Sequence, residues 1–355
     1  MGHPKIPPAA PAVLALAPYQ SARMLNAFDP SKIYLDANEL PFSPDATQLD
    51  FSELQHYAHS GPRQMIRSYA TYADVPSESI IATRGIDEGI DLLIRTYLEP
   101  GQDTVLTMSP TYGMYEVCAS AHRVETVDLP LLDLSDPDID GLSALETLPK
   151  LIFLCRPNNP TGTLMSRGAV ETVLDLAAGR SIVAVDEAYI EFCAAESLVS
   201  LLSAYPNLVI LRTLSKGFGL AGLHTGFLLA HSEVTDAVNR IANPYPIPEP
   251  CAQIALNALS QTGLEHLETN INSVLAERHR LFDALDAQPD CTGVLPSHAN
   301  FLLSAWRHPD DALAALTAQN ILIRPVRLQG ETEPRLRFSI GSRAQIDRVI
   351  AALSS

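Results

Sequence analysis

Short apolar runs alternate with longer segments of helical periodicity through the first two-thirds of the chain. Each run is short enough for a buried strand, and the segments between runs carry apolar residues three and four positions apart, as on one helix face. This alternation is typical of α/β architecture with a mainly parallel sheet. The predicted strands are 104–108, 124–129, 151–155, 182–185 and 208–211, and the predicted helices are 87–98, 112–121, 167–178 and 198–204.

A proline-dense stretch at 243–250 interrupts this alternation and predicts a hinge. Beyond the hinge, helical patterns at 252–259 and 274–285 precede short strand patterns at 301–303, 321–324 and 335–340, which indicates a smaller α+β domain. We predict three regions: an N-terminal arm with part of the small domain at 1–48, a large α/β domain at 49–245, and the small C-terminal domain at 246–355.

Composition narrows the functional classes. The chain has 355 residues, of which 46% are hydrophobic and 18% charged, as in ordinary globular proteins with a sizeable core. A net charge of −17 argues against binding to nucleic acid or to an anionic membrane. Five scattered cysteines without CxxC spacing indicate free thiols rather than disulfides or a zinc site. Because there is no membrane-length apolar run and no signal-peptide core, we expect a cytoplasmic protein. The cysteine spacing leads us to expect no bound metal.

Polar motifs follow the predicted strands closely. Pro-Asn-Asn-Pro-Thr-Gly at 157–162, Asp-Glu-Ala-Tyr at 186–189 and Thr-Leu-Ser-Lys at 213–216 each come just after an apolar run. Ligands of open α/β sheets bind beyond the carboxyl ends of the strands. We therefore expect these motifs to line one cleft.

Lys216 lies in a glycine-rich turn after an apolar run and is the first candidate catalytic residue. A lysine held there can bond to an aldehyde cofactor and act as a general base once released, whereas a solvated surface lysine is the plain alternative. Asp186 either caps a helix or pairs with a pyridine nitrogen. Tyr189, one helical turn further, and Asn159 can reach the phenolic oxygen of the same cofactor.

A phosphate site is predicted at Gly85, Ile86 and Asp87, which open a helical pattern. Free backbone N–H groups at the start of a helix bind phosphate well. Simple capping and pairing with the helix dipole is the alternative for the acidic residues of this turn. Thr213 and Ser215 can add hydroxyl donors to the same phosphate.

Three further side chains have two interpretations each. Tyr112 either stacks on a pyridine ring or packs in the core. Arg337 alternates with apolar residues in a strand pattern, so it points inward and needs an anion. That anion is either a substrate carboxylate or the partner in a structural salt bridge. Arg324 poses the same choice.

These motifs resemble the pyridoxal-phosphate site of fold-type I aminotransferases of class I/II. From 18 to 343 the chain is similar to the histidinol-phosphate aminotransferase family, and the most specific stretches are 84–90, 110–115, 157–162 and 184–192. The resemblance implies a fold-type I architecture, pyridoxal 5′-phosphate as cofactor and a homodimer with composite active sites. It also implies amino transfer between histidinol phosphate and 2-oxoglutarate, giving imidazole acetol phosphate and glutamate.

The resemblance further implies a role for each matching residue. Lys216 corresponds to the Schiff-base lysine, and Asp186 to the partner of the ring nitrogen. The other cofactor contacts would be Gly85, Ile86, Asp87, Tyr112, Asn159, Tyr189, Thr213, Ser215 and, across the dimer interface, Tyr57. The substrate contacts would be Tyr19, Asn38, Tyr112, Asn159, Arg324 and Arg337. Among these, Arg337 matches a carboxylate clamp, while Tyr19 and Arg324 match residues near the substrate phosphate.

The chain departs from the family pattern at His224, eight residues after the lysine. The family carries an arginine there that grips the cofactor phosphate. A histidine is shorter, lacks the guanidinium fork and changes charge with pH. We predict that His224 contacts the phosphate and that the cofactor is held more loosely. The segment around Tyr57 also departs from the usual Arg-Tyr-Pro pattern.

Other functions remain open at this point. The same scaffold serves aminotransferases for aromatic or other amino acids and phosphothreonine-type decarboxylases. A regulator that binds pyridoxal phosphate without turnover is an alternative from another class, but the acidic chain has no appended DNA-binding segment.

Overall fold

The computed structural model describes residues 15, 29–42, 49–50, 55–58 and 60–354, and these residues form two sheets surrounded by helices. The larger sheet has the strand order β2 (Ile80–Thr83), β8 (Gly226–Ala230), β7 (Leu208–Thr213), β6 (Ile182–Asp186), β5 (Leu151–Cys155), β3 (Thr104–Thr107), β4 (Glu125–Asp128). The smaller sheet has the order β1 (Ile33–Leu35), β11 (Ile321–Val326), β12 (Arg335–Ser339), β10 (Phe301–Trp306), β9 (Cys291–Val294).

The α-helices of the described residues are α1 (Ser60–Ala73), α2 (Gly85–Tyr97), α3 (Met114–Ala121), α4 (Ile139–Ala144), α5 (Arg167–Ala177), α6 (Ser232–Asn239), α7 (Glu249–Ala258), α8 (Gln261–Asp286), α9 (Pro309–Ala318) and α10 (Arg343–Leu353). Short 3₁₀ helices occur at Ser77–Ser79, Ile190–Glu196, Val199–Leu201 and Ala221–Leu223. Within the part of the chain that is described, no helix combines the length and the apolar character that a bilayer crossing requires.

In the larger sheet, every strand except β8 runs in the same direction. The central strands are continuous apolar runs because both faces of the sheet are covered. Along β5, for example, Leu151 and Phe153 pack into one hydrophobic cluster, and Ile152 and Leu154 pack into the other. The carboxyl ends of the parallel strands open on one edge, where the polar motifs begin.

The predicted strands of the larger sheet are present as β3 to β7, within a few residues at each end. The hydrophobic pattern missed β2 and β8, which are short and adjoin glycine-rich turns. The helix predicted at 198–204 is wrong, since only Val199–Leu201 forms a single 3₁₀ turn. Side chains replace the helical hydrogen bonds there, because the N–H of Leu198 donates to Glu187 and that of Val199 donates to Ser197.

Residues 29–42 are tied to the C-terminal half of the chain, because β1 pairs with β11 in a parallel ladder. β11 tolerates Pro325 because this residue lies beyond Ile323, the last residue paired with β1. After the predicted hinge, α7 packs on α1 and contributes Ala252 and Ala255 to the cluster beneath the larger sheet. The domain limits at 48 and 245 stay a prediction.

A buried ion pair joins the ends of β6 and β7. Arg212 donates from Nε and Nη2 to Oε2 of Glu187, at 2.9 and 2.8 Å, and the two side chains are only 6% and 0% exposed. The remaining oxygen of Glu187 accepts from the N–H of Leu198 at 2.7 Å. Both charges are therefore paired inside the core, and removing either would leave the other uncompensated.

We predict that Arg212→Met lowers the free energy of unfolding by about 3–5 kcal/mol, because Glu187 would remain as an unpaired buried carboxylate. The matched control is Arg167→Met, which removes an exposed ion pair with Glu171 and should change stability by about 1 kcal/mol or less. Chemical denaturation of both variants measures the difference. Equal, small losses in the two variants would contradict the anchoring role of Arg212.

Candidate active site

A cleft of about 530 Å³ opens at the carboxyl edge of the larger sheet. Most of the predicted site residues line it, namely Asn38, Gly85, Ile86, Asp87, Tyr112, Asn159, Asp186, Tyr189, Thr213, Ser215, Lys216, His224, Arg324 and Arg337. Tyr57 is not among the lining residues; its side chain is 76% exposed and stacks on Tyr245 with ring centroids 4.4 Å apart. Tyr19 lies outside the described residues.

Lys216 follows β7 and points its amine into the cleft. Nζ donates to the carbonyl oxygen of Ala37 at 3.1 Å, so the segment after β1 positions the amine. The pKa of Lys216 is lowered to about 8, mainly by burial and also by the nearby guanidinium of Arg337. A substantial fraction of the amine is therefore neutral near physiological pH, as a nucleophile or a general base must be.

Asp186 is the last residue of β6 and is almost completely buried. Its Oδ2 accepts from the hydroxyl of Tyr115 at 2.7 Å, and its Oδ1 accepts from the N–H of Ala188 at 3.0 Å. Burial raises the pKa of Asp186 to about 6, and these two donors oppose the rise. The contact from Tyr115 was not predicted from the sequence. Tyr115 lies three residues after Tyr112 in a helical pattern, so the two side chains could have been expected on the same side of the helix.

Asn159 and Tyr189 are both oriented as donors toward a ligand in the cleft. The side-chain oxygen of Asn159 accepts from Nη1 of Arg337 at 2.6 Å, which directs the amide N–H₂ elsewhere. The hydroxyl of Tyr189 accepts from Nδ2 of Asn38 at 3.1 Å and keeps its own proton to donate. Burial raises the pKa of Tyr189, so this phenol stays protonated.

Asn38 connects the cleft to the smaller sheet. It has a left-handed backbone with φ of 53°, and its N–H donates to Oγ of Ser339 at 2.8 Å. Its carbonyl oxygen accepts from Nδ2 of Asn300 at 3.1 Å. Two residues earlier, the carbonyl oxygen of Asp36 accepts from Nη2 of Arg337 at 3.0 Å. The segment after β1 is thus held by β12 while it holds the polar side chains of the cleft.

Arg324 and Arg337 face the cleft from neighbouring strands. They are directly opposite each other in the antiparallel ladder of β11 and β12, so their side chains leave the same face of the sheet. The guanidinium of Arg337 also lies 5.4 Å from the ring centroid of Phe301. Two cations on one face suit a ligand with more than one negative charge.

The predicted phosphate site lies where β2 leads into α2. Gly85 has φ of 72°, a conformation that favours glycine, and the helix has no side-chain cap at its N-terminus. The side chain of Arg84 pairs with Glu88 instead. Oδ1 of Asp87 accepts from the hydroxyl of Tyr112 at 3.1 Å. The first N–H groups of α2 therefore remain available to an anion.

Thr213 and Ser215 lie on the opposite side of this turn. Oγ1 of Thr213 donates to Oγ of Ser215 at 3.0 Å and accepts from the N–H of Ser215 at 3.1 Å. Both residues line the cleft. Because the single proton of the Thr213 hydroxyl is donated within the protein, the hydroxyl of Ser215 is the one that can join the start of α2 as a donor to an anion.

His224 packs against the predicted phosphate site. Its ring is so close to Gly85 that a Cβ added there would lie 2.7 Å from Nδ1. Nδ1 is 2.9 Å from the carbonyl oxygen of Arg84, and a carbonyl only accepts, so Nδ1 is the donor. Nε2 then carries a proton only when the ring is positively charged.

Comparison with known proteins identifies the family. The model of the family "Aminotransferase class I and II" matches residues 30–353. The histidinol-phosphate aminotransferases of Yersinia enterocolitica and of Yersinia pestis (strain Pestoides F) are each 42% identical over 96% of this chain, and the match covers 91% and 89% of their own lengths. This chain belongs to the class I and II aminotransferases.

A solved structure agrees with this fold. The histidinol-phosphate aminotransferase from Sinorhizobium meliloti, in complex with pyridoxal-5′-phosphate, has a TM-score of 0.84 and 22% sequence identity. The match covers 98% of this chain and 97% of the other. The fold-type I architecture expected from the sequence is confirmed.

The lowered pKa of Lys216 generates a prediction for cofactor attachment. The free amine reacts with an aldehyde, so the rate of attachment to the apoprotein should rise with pH through a midpoint at about 8. An exposed lysine would give a midpoint near ~10.4. Arg337→Gln removes a nearby positive charge and should move the midpoint to higher pH. Stopped-flow absorbance measures the rate, and a midpoint that stays in the range of an exposed lysine contradicts the assignment.

Proposed function

We propose that this protein transfers an amino group between histidinol phosphate and 2-oxoglutarate, giving imidazole acetol phosphate and glutamate. The observation that carries the proposal is a single cleft on which the half-buried Lys216 and the buried Asp186 meet the arginine pair Arg324 and Arg337. The relatives that are 42% identical over nearly the whole chain are named for this reaction. The protein is thus a pyridoxal-phosphate-dependent enzyme of histidine biosynthesis.

The residues present fit pyridoxal 5′-phosphate. The cofactor supplies an electron-accepting pyridine ring next to the substrate's reacting carbon. In this chain Lys216 would bond to its aldehyde, and Asp186 would pair with the ring nitrogen. Asn159 and Tyr189 would donate to the phenolic oxygen, as their hydrogen-bond directions allow. Tyr112 would cover the ring.

Lys216 is the general base of the proposed reaction. Once free of the cofactor, the amine of Lys216 would be the group that takes the proton from the substrate's Cα. The lowered pKa of Lys216 increases the neutral fraction of this amine, which is the form able to accept that proton. The segment 36–38 positions both cationic side chains, because its backbone carbonyls accept from Lys216 and from Arg337.

The substrate anions would be bound by the two arginines. We assign the α-carboxylate of glutamate to Arg337 and the phosphate of histidinol phosphate chiefly to Arg324. Because the two residues are opposite each other on adjacent strands, one phosphate can contact both guanidinium groups. A phosphorylated substrate would gain more from this arrangement than a substrate with one carboxylate.

We also propose a cytoplasmic homodimer in which Tyr57 reaches the cofactor phosphate of the partner subunit. Support comes from its position, because Tyr57 does not line the cleft of its own chain and has an exposed ring stacked on the half-exposed Tyr245. A flat aromatic pair on the surface is suited to a protein interface. The composite site expected from the family places Tyr57 at that interface.

Side-by-side turnover tests the proposed reaction. Purified holoprotein is given histidinol phosphate, phenylalanine or phosphothreonine, each with 2-oxoglutarate, and glutamate and carbon dioxide are measured. Histidinol phosphate should give the highest kcat/KM for glutamate formation. A preference for phenylalanine would reassign the enzyme to aromatic amino acids, and release of carbon dioxide from phosphothreonine would make it a decarboxylase.

The arginine pair gives a sharper prediction. Arg324→Gln should raise the KM for histidinol phosphate by about tenfold, because a charge-assisted contact to phosphate is lost. The KM for glutamate should change less, whereas Arg337→Gln should weaken both substrates. Arg327→Gln is a matched control, since Arg327 is exposed and does not line the cleft. Equal losses for both substrates in Arg324→Gln would contradict the division of roles.

His224 generates a prediction about cofactor retention. With Nδ1 committed to the carbonyl of Arg84, only the protonated ring can donate from Nε2 to the phosphate. A histidine in this position should therefore hold the phosphate less tightly than an arginine, which offers two parallel charged donors. The charged residues near His224 at the start of α2 are Asp87 and the ion-paired Arg84 and Glu88. A substitution at position 224 leaves all three unchanged.

His224→Arg supplies a permanent charge and should bind PLP about tenfold more tightly. Equilibrium titration of both proteins with PLP at one pH measures the constants. Equal dissociation constants for the unmodified protein and the arginine variant would remove His224 from the phosphate site.

A further inference from the structure

Tyr115 is held rigidly against Asp186. Its side chain is fully buried, its ring stacks on Phe153 with centroids 4.6 Å apart and an interplanar angle of 2°, and Tyr112 meets it edge-on at 5.6 Å. Its hydroxyl is 2.7 Å from Oδ2 of Asp186. Since a carboxylate only accepts, Tyr115 is the donor in this bond.

The surroundings of Asp186 favour protonation of its carboxyl. It is nearly inaccessible to water, and the carboxylates of Asp87 on α2 and Glu187 after β6 add like charge. Cys155 on β5 adds no charge of either sign, because burial raises the pKa of its thiol and keeps the thiol protonated. The cations on the same cleft are Lys216 and Arg337, and Arg337 directs its guanidinium to Asn159 and to the carbonyl of Asp36 rather than to Asp186.

This balance decides where a shared proton lies. A pyridine nitrogen paired with a carboxyl group is protonated only if the carboxyl is the stronger acid of the two. Burial and like charge make Asp186 a weaker acid, while donors to its oxygens make it a stronger one. The described residues supply two such donors, the N–H of Ala188 and the hydroxyl of Tyr115.

We propose that Tyr115 is a positioning residue that keeps Asp186 ionised and oriented, so that the proton of the pair resides on the ring nitrogen of the cofactor. The proposal rests on the proposed function, because it takes pyridoxal phosphate as the ligand and Asp186 as its partner. Tyr115 acts through Asp186 and does not itself touch the reacting atoms.

The test measures the ring nitrogen directly. The holoprotein is reconstituted with PLP labelled with ¹⁵N in the ring, and the nitrogen resonance is recorded for the unmodified protein, Tyr115→Phe and Tyr69→Phe. In Tyr115→Phe the ratio of nitrogen-bound to carboxyl-bound proton should fall by about tenfold, because one donor to the carboxylate is lost. The phenylalanine ring preserves the stacking on Phe153.

Tyr69→Phe is the matched control. Tyr69 is equally buried and stacks on Phe227, but its hydroxyl is not one of the two donors to Asp186. The ¹⁵N resonance of this variant should equal that of the unmodified protein. A variant with 3-fluorotyrosine at position 115 retains the fold and is a stronger donor, so its resonance should move in the opposite direction from that of Tyr115→Phe.

An unchanged resonance in both Tyr115 variants would overturn the proposal. A neutral ring nitrogen in the unmodified protein would also overturn it, by removing the role of Asp186. Neither result bears on glutamate formation from histidinol phosphate, which is measured on the unmodified protein. Failure of that assay with a normal ¹⁵N response would instead contradict the proposed substrate.

Discussion

The site depends on the way in which β6 ends. Asp186 and Glu187 are consecutive carboxylates that face opposite sides of the sheet. Glu187 is locked into the core by Arg212 on the adjacent strand, so the backbone at this point cannot rotate without breaking a buried ion pair. Asp186 is therefore presented to the cleft in one orientation, where Tyr115 and Ala188 hold its two oxygens.

The polarity of the cleft is set by hydrogen bonds that cross between the two sheets. Arg337 on β12 occupies the acceptor of Asn159, and Asn38 after β1 occupies an acceptor position on Tyr189. Each contact leaves a donor for the ligand. The smaller sheet thus determines which way the polar groups of the larger sheet point, and an error in docking the two sheets would change the chemistry of the site.

Sequence patterns predicted which residues line the cleft better than they predicted the contacts that hold those residues in place. Lys216, Asp186 and Asn159 follow apolar runs that form parallel strands, and the carboxyl ends of parallel strands meet on one edge. The contact of Lys216 with the carbonyl of Ala37 could not be predicted in this way, because backbone carbonyls carry no residue-specific signal. Tyr57 also shows the limit, since its predicted role needs a second chain.

The central claim is that one half-buried lysine in the turn after β7, Lys216, holds the cofactor. Reducing the holoprotein with borohydride, digesting it and locating the pyridoxyl group by mass spectrometry tests this claim most directly. The group should be found on Lys216, whose amine is the one placed on the cleft beside Asp186 and Arg337. A pyridoxyl group on a different lysine, or none at all after reconstitution with PLP, would contradict the account.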